Sequence, residues 1–164
     1  MIVEKNLIRR ITVLLGLAVM LLLPVQAFAQ DTGAAAHAKT PPPPSFVSPF
    51  TVFDPNFDYL EKGQGYLTDQ GKQKVNIWGE SYGTVRVDKI GVQLTLQRWT
   101  GSEWIDVYFG ASVEDSNTAY AYSSIRDISV LSGYYYRTKS YHWAKKGTTV
   151  ESGYRYSSSY LIPE

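Results

Sequence analysis

His142 is the one histidine beyond the proline run at residues 41–44, so a search for chemistry starts there. It lies in Ser140-Tyr141-His142-Trp143, where strand alternation puts Tyr136, Thr138, Ser140 and His142 on one face. Arg137 and Lys139 take the other face, which points His142 inward, although Tyr141 and Trp143 share that second face. A general base needs its substrate proton within hydrogen-bond reach, and a zinc ligand needs companions that no second histidine or cysteine supplies here. The expected role is a partly buried, hydrogen-bonded histidine. Asp54-Pro55-Asn56-Phe57-Asp58 is spaced like the start of a calcium loop. The required glycine is Tyr59, however, and the closing glutamate is Gly65, so a polar turn built on Pro55 is expected. Glu114 and Asp115 are adjacent, which suits a solvated loop. A glycosidase carboxylate pair depends on tertiary distance and stays open at this level. No G-x-S-x-G elbow, phosphate loop or H-E-x-x-H helix is present. Catalytic residues, metal ligands and cofactors are therefore all expected to be absent, with a hydrolase as the weakest alternative.

Aromatic side chains say more. All 13 tyrosines and all 4 tryptophans follow the proline run. Trp78 and Tyr136 suit a core that must be stable without disulfides. The most definite local element is a hairpin over Leu94 to Phe109, turning at Gly101-Ser102 in a two-residue loop of the I′ or II′ kind. Counting outward from that turn, Trp99 faces Trp104, Gln97 faces Asp106, Leu96 faces Val107, Thr95 faces Tyr108 and Leu94 faces Phe109. One face then collects Leu94, Leu96, Ile105, Val107 and Phe109 as core. The other collects Trp99, Trp104, Tyr108, Thr95, Gln97 and Asp106 as an outer surface. Indole faces stack on sugar rings or apolar partners while the polar neighbours supply hydrogen bonds, so these six residues are the candidate ligand site. Cross-strand stabilisation of the hairpin is the competing explanation for the tryptophan pair.

The surrounding elements are strands. Val75 and Ile77, Val85 and Val87, and Ile90, Val92, Leu94 and Leu96 all alternate with polar or small residues. Glycines at 71, 83, 101, 110, 133 and 147 punctuate the pattern, and no later segment carries an apolar period of 3.6. Leu131-Ser132-Gly133 reads as a corner before a strand from Tyr134 to Ala144, and Lys145-Lys146-Gly147 turns the chain into a last strand from Thr149 to Ile162. Short strands at this spacing predict an all-β, antiparallel two-sheet sandwich with no substantial helix. The terminal Tyr154, Tyr156 and Tyr160 suit either one core face or an adaptable recognition surface.

Val130, Leu131, Gly133 and Tyr136 resemble the tyrosine corner of immunoglobulin-like and fibronectin type III sandwiches, a likeness of fold and not of function. Gly101 to Trp104, Gly133 to Arg137 and Gly153 to Tyr160 also resemble the strand motifs of small secreted β proteins of Gram-positive bacteria. That resemblance runs from about Gly71 to the C-terminus and implies no catalytic residues.

The N-terminus speaks to compartment. Lys5, Arg9 and Arg10 precede an apolar run from Ile11 to Leu23, and Ala27-Phe28-Ala29 offers a small-x-small cleavage pattern. The run is shorter than the roughly 20 residues a membrane span needs, so a signal peptide over residues 1–29, cleaved to leave Gln30, is expected rather than an anchor. Its loss removes Lys5, Arg9, Arg10 and Glu4, which leaves 13 basic and 14 acidic side chains. A near-neutral chain has no basic excess to attract nucleic acid or anionic lipid. Residues 30–49, with three consecutive alanines (Ala34 to Ala36) and Pro41 to Pro44, read as an extended spacer. A proline-rich ligand for an aromatic groove is the sharper alternative. Residues 50–164 then form one domain, large enough to be stable through its core without cysteine. The combined expectation is a secreted, non-catalytic binding module for cell-wall or extracellular glycan. A protein–protein interaction factor, such as an inhibitor or competition protein, is the rival.

Overall fold

A computed structural model describes residues 38–45 and 52–164. The signal peptide and its cleavage after Ala29 lie outside the described residues. Six strands follow in order: β1 (Leu60–Gly71), β2 (Lys74–Trp99), β3 (Trp104–Ser129), β4 (Tyr135–Lys146), β5 (Thr149–Tyr156) and β6 (Tyr160–Leu161). No helix occurs among the described residues. The all-β, antiparallel expectation holds, but the two-sheet sandwich is not what these strands build. All six belong to one continuous sheet. Antiparallel β2 and β3 pair along their whole length, while β1 flanks the first part of β2 and β4 flanks its second part, followed by β5.

The reason lies at residues 83–86. Tyr82 pairs with Tyr120 and Val87 with Thr118, so four β2 residues face a single residue of β3. Such an excess bends a strand without ending it. The Val75/Ile77 segment and the Ile90-to-Leu96 segment are therefore two arms of one 26-residue strand. The sheet curls into a half-barrel that brings the β1 arm over β4, where a Cβ on Gly63 would lie 2.5 Å from the His142 ring. Two apolar clusters fill the interior. One holds Val75, Ile77, Val92, Leu94, Leu96, Ile128, Val130, Tyr136 and Ile162; the other holds Phe53, Leu60, Val87, Ile90, Ala121 and Ala144.

Several local expectations hold. Gly133, with φ 79°, forms the corner before β4, and the Leu131 N–H donates to the Tyr136 hydroxyl at 2.9 Å, the hydrogen bond of a tyrosine corner. Asp54 accepts from Asn56 N–H at 2.9 Å and its carbonyl accepts from Phe57 N–H at 3.0 Å, a polar turn at the calcium-like segment. Glu114 and Asp115 depart from expectation: they sit within β3, exposed, opposite Gly91 and Ile90.

The hairpin register is right near its turn and wrong beyond it. Trp99 pairs with Trp104, Arg98 with Ile105 and Gln97 with Asp106. Val107 then bulges, so Leu96 pairs with Tyr108 and Thr95 with Phe109. One extra residue reverses every face past it. Phe109, expected in the core, is 64% exposed, and Val107 is exposed too. Leu96→Ala should accordingly cost about 2–5 kcal/mol as a core truncation. Phe109→Ala should fall within about 0.5 kcal/mol of the parent as a surface change. Urea unfolding of the two variants checks this; equal losses would restore the uninterrupted register.

Candidate functional site

The six residues singled out on the hairpin do not form one open platform. Trp99 and Trp104 do lie side by side, with ring centroids 5.4 Å apart. Trp99, Thr95 and Gln97 are nevertheless buried, because β4 flanks β2 on this side and its Arg137 and Lys139 extend over the same face. The Gln97 amide donates to Asp106 at 2.6 Å and its oxygen accepts from Arg137 Nε at 2.7 Å. Arg137 in turn lies 4.3 Å from the ring centres of both Trp104 and Tyr156. Asp106 and Tyr108 remain exposed, but the Val107 bulge moves Tyr108 to the Leu96 face, away from the tryptophans. Trp99 has a further cover: its indole N–H donates to the Pro41 carbonyl at 3.0 Å. The proline run expected to be a plain spacer is thus partly seated on the domain.

The open aromatic face lies at the other end of β2. Alternation on β2 turns Val75, Ile77, Gly79 and Ser81 inward and Trp78, Glu80 and Tyr82 outward. Register aligns Tyr66 and Ser124 with Trp78, Gln64 and Tyr122 with Glu80, and Lys62 and Tyr120 with Tyr82. Trp78, expected in the core, stacks outside on Tyr66 with centroids 3.8 Å apart, and Tyr122 follows 6.3 Å from Trp78. Tyr82 and Tyr120 meet edge to face at 5.2 Å. Glu80 sits at the centre and accepts from Tyr120 at 2.8 Å, Tyr82 at 3.0 Å and Gln64 at 3.2 Å.

Burial alone would raise the Glu80 pKa, but hydrogen bonds from Tyr120, Tyr82 and Gln64, with the Lys62 charge, outweigh it and hold the carboxyl below its usual value. Burial and the Glu80 carboxylate push the Tyr120 hydroxyl up to about 12. The group is therefore a fixed anion ringed by protonated phenols. Tyr120 and Tyr122 are 40% and 43% exposed and offer open ring surface, with Trp78 beside Tyr122 and Tyr82 beside Tyr120 on the same face. Sequence reasoning missed this face, although Trp78-x-Glu80-x-Tyr82 and Tyr120-x-Tyr122 carry the period-2 signal.

His142 lies on the expected face with Tyr136, Thr138 and Ser140 and is fully buried, where partial burial was expected. Its Nδ1 lies 2.8 Å from Ser81 Oγ and its Nε2 lies 2.7 Å from Ser140 Oγ. Ser81 Oγ also donates to the Gly91 carbonyl at 2.8 Å and Ser140 Oγ to the Arg155 carbonyl at 3.3 Å; the shorter Ser81 bond favours a ring protonated at Nδ1, with Ser140 donating to Nε2. Burial, and then the Arg155 charge, lower the imidazole pKa to about 3. A neutral ring enclosed between two serines is built for packing, not for proton transfer to a substrate. Of the terminal tyrosines, Tyr154 and Tyr160 are exposed, whereas Tyr156 is half-buried beside Arg137.

The chain matches no family model and no curated protein. A crystal structure of a protein from Archaeoglobus fulgidus is similar at 14% identity with a TM-score of 0.34, covering 64% of this chain and 98% of that one.

Proposed function

We propose that this protein is a secreted, non-catalytic binding module that holds extracellular or cell-wall glycan on the outer face of β1, β2 and β3. The observation that carries the reading is the outward-facing cluster of half-buried Tyr66, Trp78 and Tyr82 with exposed Tyr120 and Tyr122 around the ionised Glu80. Sugar rings pair apolar C–H faces with polar rims. A face of braced aromatic rings with a central acceptor and peripheral hydroxyls complements both. The export signal expected at residues 1–29 would place such a module outside the cell.

Retention on insoluble peptidoglycan, chitin and cellulose tests this reading. Trp78→Ala should remain folded and lose about tenfold or more in retention, the scale of a truncated interface tryptophan. Trp104→Ala, on the Arg137-covered face, should lose far less. Retention on none of these glycans by the parent chain, or equal losses in both variants, would sink the reading. The protein–protein rival has its own observation. Among the described strands β3 pairs only with β2, so its other edge is open and flanked by the exposed Val107, Phe109 and Val113.

A further inference from the structure

Several contacts seat the proline-bearing segment on the end of the half-barrel. The Lys39 N–H donates to the Gly133 carbonyl at 2.7 Å. The Lys39 ammonium lies 3.4 Å from the Glu164 carboxylate and 5.7 Å from the centre of the Tyr134 ring. The Pro41 carbonyl accepts from the Trp99 indole at 3.0 Å. Pro41 and Thr40 also pack against the turn at Gly101, at 3.6 and 3.7 Å from where a Cβ would sit. An indole N–H donating to a carbonyl in a proline run, beside apolar ring surface, is the way aromatic grooves read extended proline segments.

We infer that the surface between the Gly101 turn and the Gly133 corner is a recognition seat for basic-x-proline segments, filled in cis by Lys39 to Pro41 and open to such a segment from another chain. Each element of the ligand has its reader. Glu164 and Tyr134 read the basic side chain, the Gly133 carbonyl reads the backbone N–H of that residue, and Trp99 reads the carbonyl two residues later. The residue between is read poorly. Thr40 Oγ1 is buried with no hydrogen-bond partner, so the cis segment is not the best ligand for its own seat. An imperfect cis ligand is replaceable. This surface shares no residue with the Trp78 face, so the two proposals stand or fall separately.

The test uses the full chain with residues 38–45 replaced by a glycine/serine stretch of equal length, titrated with a peptide spanning Ala38 to Ser45. Tryptophan fluorescence and calorimetry should show saturable binding, at least about tenfold tighter than to the unaltered chain, whose seat is occupied. Trp99→Phe in the acceptor keeps a ring and removes the donor, and should weaken binding about tenfold, as should Lys39→Ala in the peptide. Thr40→Val in the peptide should tighten binding, since it removes the unpartnered hydroxyl while keeping the shape. If the glycine/serine chain fails to fold, an acceptor carrying Lys39→Ala and Pro41→Gly releases the cis segment while leaving every strand intact, and the same titration applies. No saturable binding by a folded acceptor, or binding indifferent to both Trp99→Phe and Lys39→Ala, overturns the inference.

Discussion

Glu151→Ala should destabilise this protein by about 3–5 kcal/mol, the scale expected when buried backbone donors lose a charged acceptor. Glu151 is a buried carboxylate on β5 whose oxygens accept from the backbone N–H groups of Asp58, Tyr59 and Leu60 at 2.8, 2.8 and 2.7 Å. β1 and β5 share no ladder, so side chains bridge the seam of the curled sheet between them. Arg155 adds a second bridge, with Nη2 donating to the Val52 carbonyl at 2.6 Å and its guanidinium 3.7 Å from the centre of the Phe53 ring. Removing the Glu151 carboxylate leaves the Leu60 N–H buried without an acceptor, and the Asp58 and Tyr59 donors must turn to water. Glu151→Gln keeps one acceptor oxygen but sets an amide N–H against backbone donors, so its loss should be smaller. Chemical denaturation decides the size, and hydrogen exchange should quicken first at Tyr59 and Leu60. A Glu151→Ala variant within about 1 kcal/mol of the parent would equate it with an exposed ion pair such as Lys89–Glu114, and the seam would need another explanation.

The second large effect is acid sensitivity from His142. In the unfolded chain its imidazole protonates near pH 6.5, whereas in the fold it stays neutral down to about pH 3. Between those values the unfolded state binds the extra proton. Stability is therefore fully present above pH 6.5 and falls as the pH drops through the window, by up to about 1.4 kcal/mol per pH unit. Glu80, held below its ordinary value of 4.5, adds to the fall only in the lower part of the range. The upper part, from pH 6.5 to 4.5, reports the histidine. His142→Asn should lower stability at pH 7, because the two serines lose a ring fitted between them, and should flatten the slope over that upper range. Urea midpoints across pH 4.5 to 8 measure it. A parent protein equally stable at pH 7 and pH 5 would show that the ring takes its proton without unfolding the domain.

Strand content, the placing of Tyr136, Thr138, Ser140 and His142 on one buried face, and the meeting of Trp99 with Trp104 were all legible in the sequence. Each rests on period-2 alternation or on a tight turn, which act over a few residues. Tertiary structure decided what lies beyond that range. The excess at residues 83–86 made one bent strand of what read as separate runs, and the single bulge at Val107 carried Tyr108 and Phe109 to the opposite faces. Nothing in the local residue pattern distinguishes a bulge from an uninterrupted strand, since its advantage comes from the curl it permits. The Trp78 and Glu80 face needed the register of three strands at once. Glu151 reaches donors more than ninety residues away, and Trp99 is covered by a carbonyl 58 residues upstream. Period-2 spacing marks which residues of one strand share a face, but not which strands meet, so the closure of the seam and the gathering of the outer aromatics around Glu80 came from packing alone.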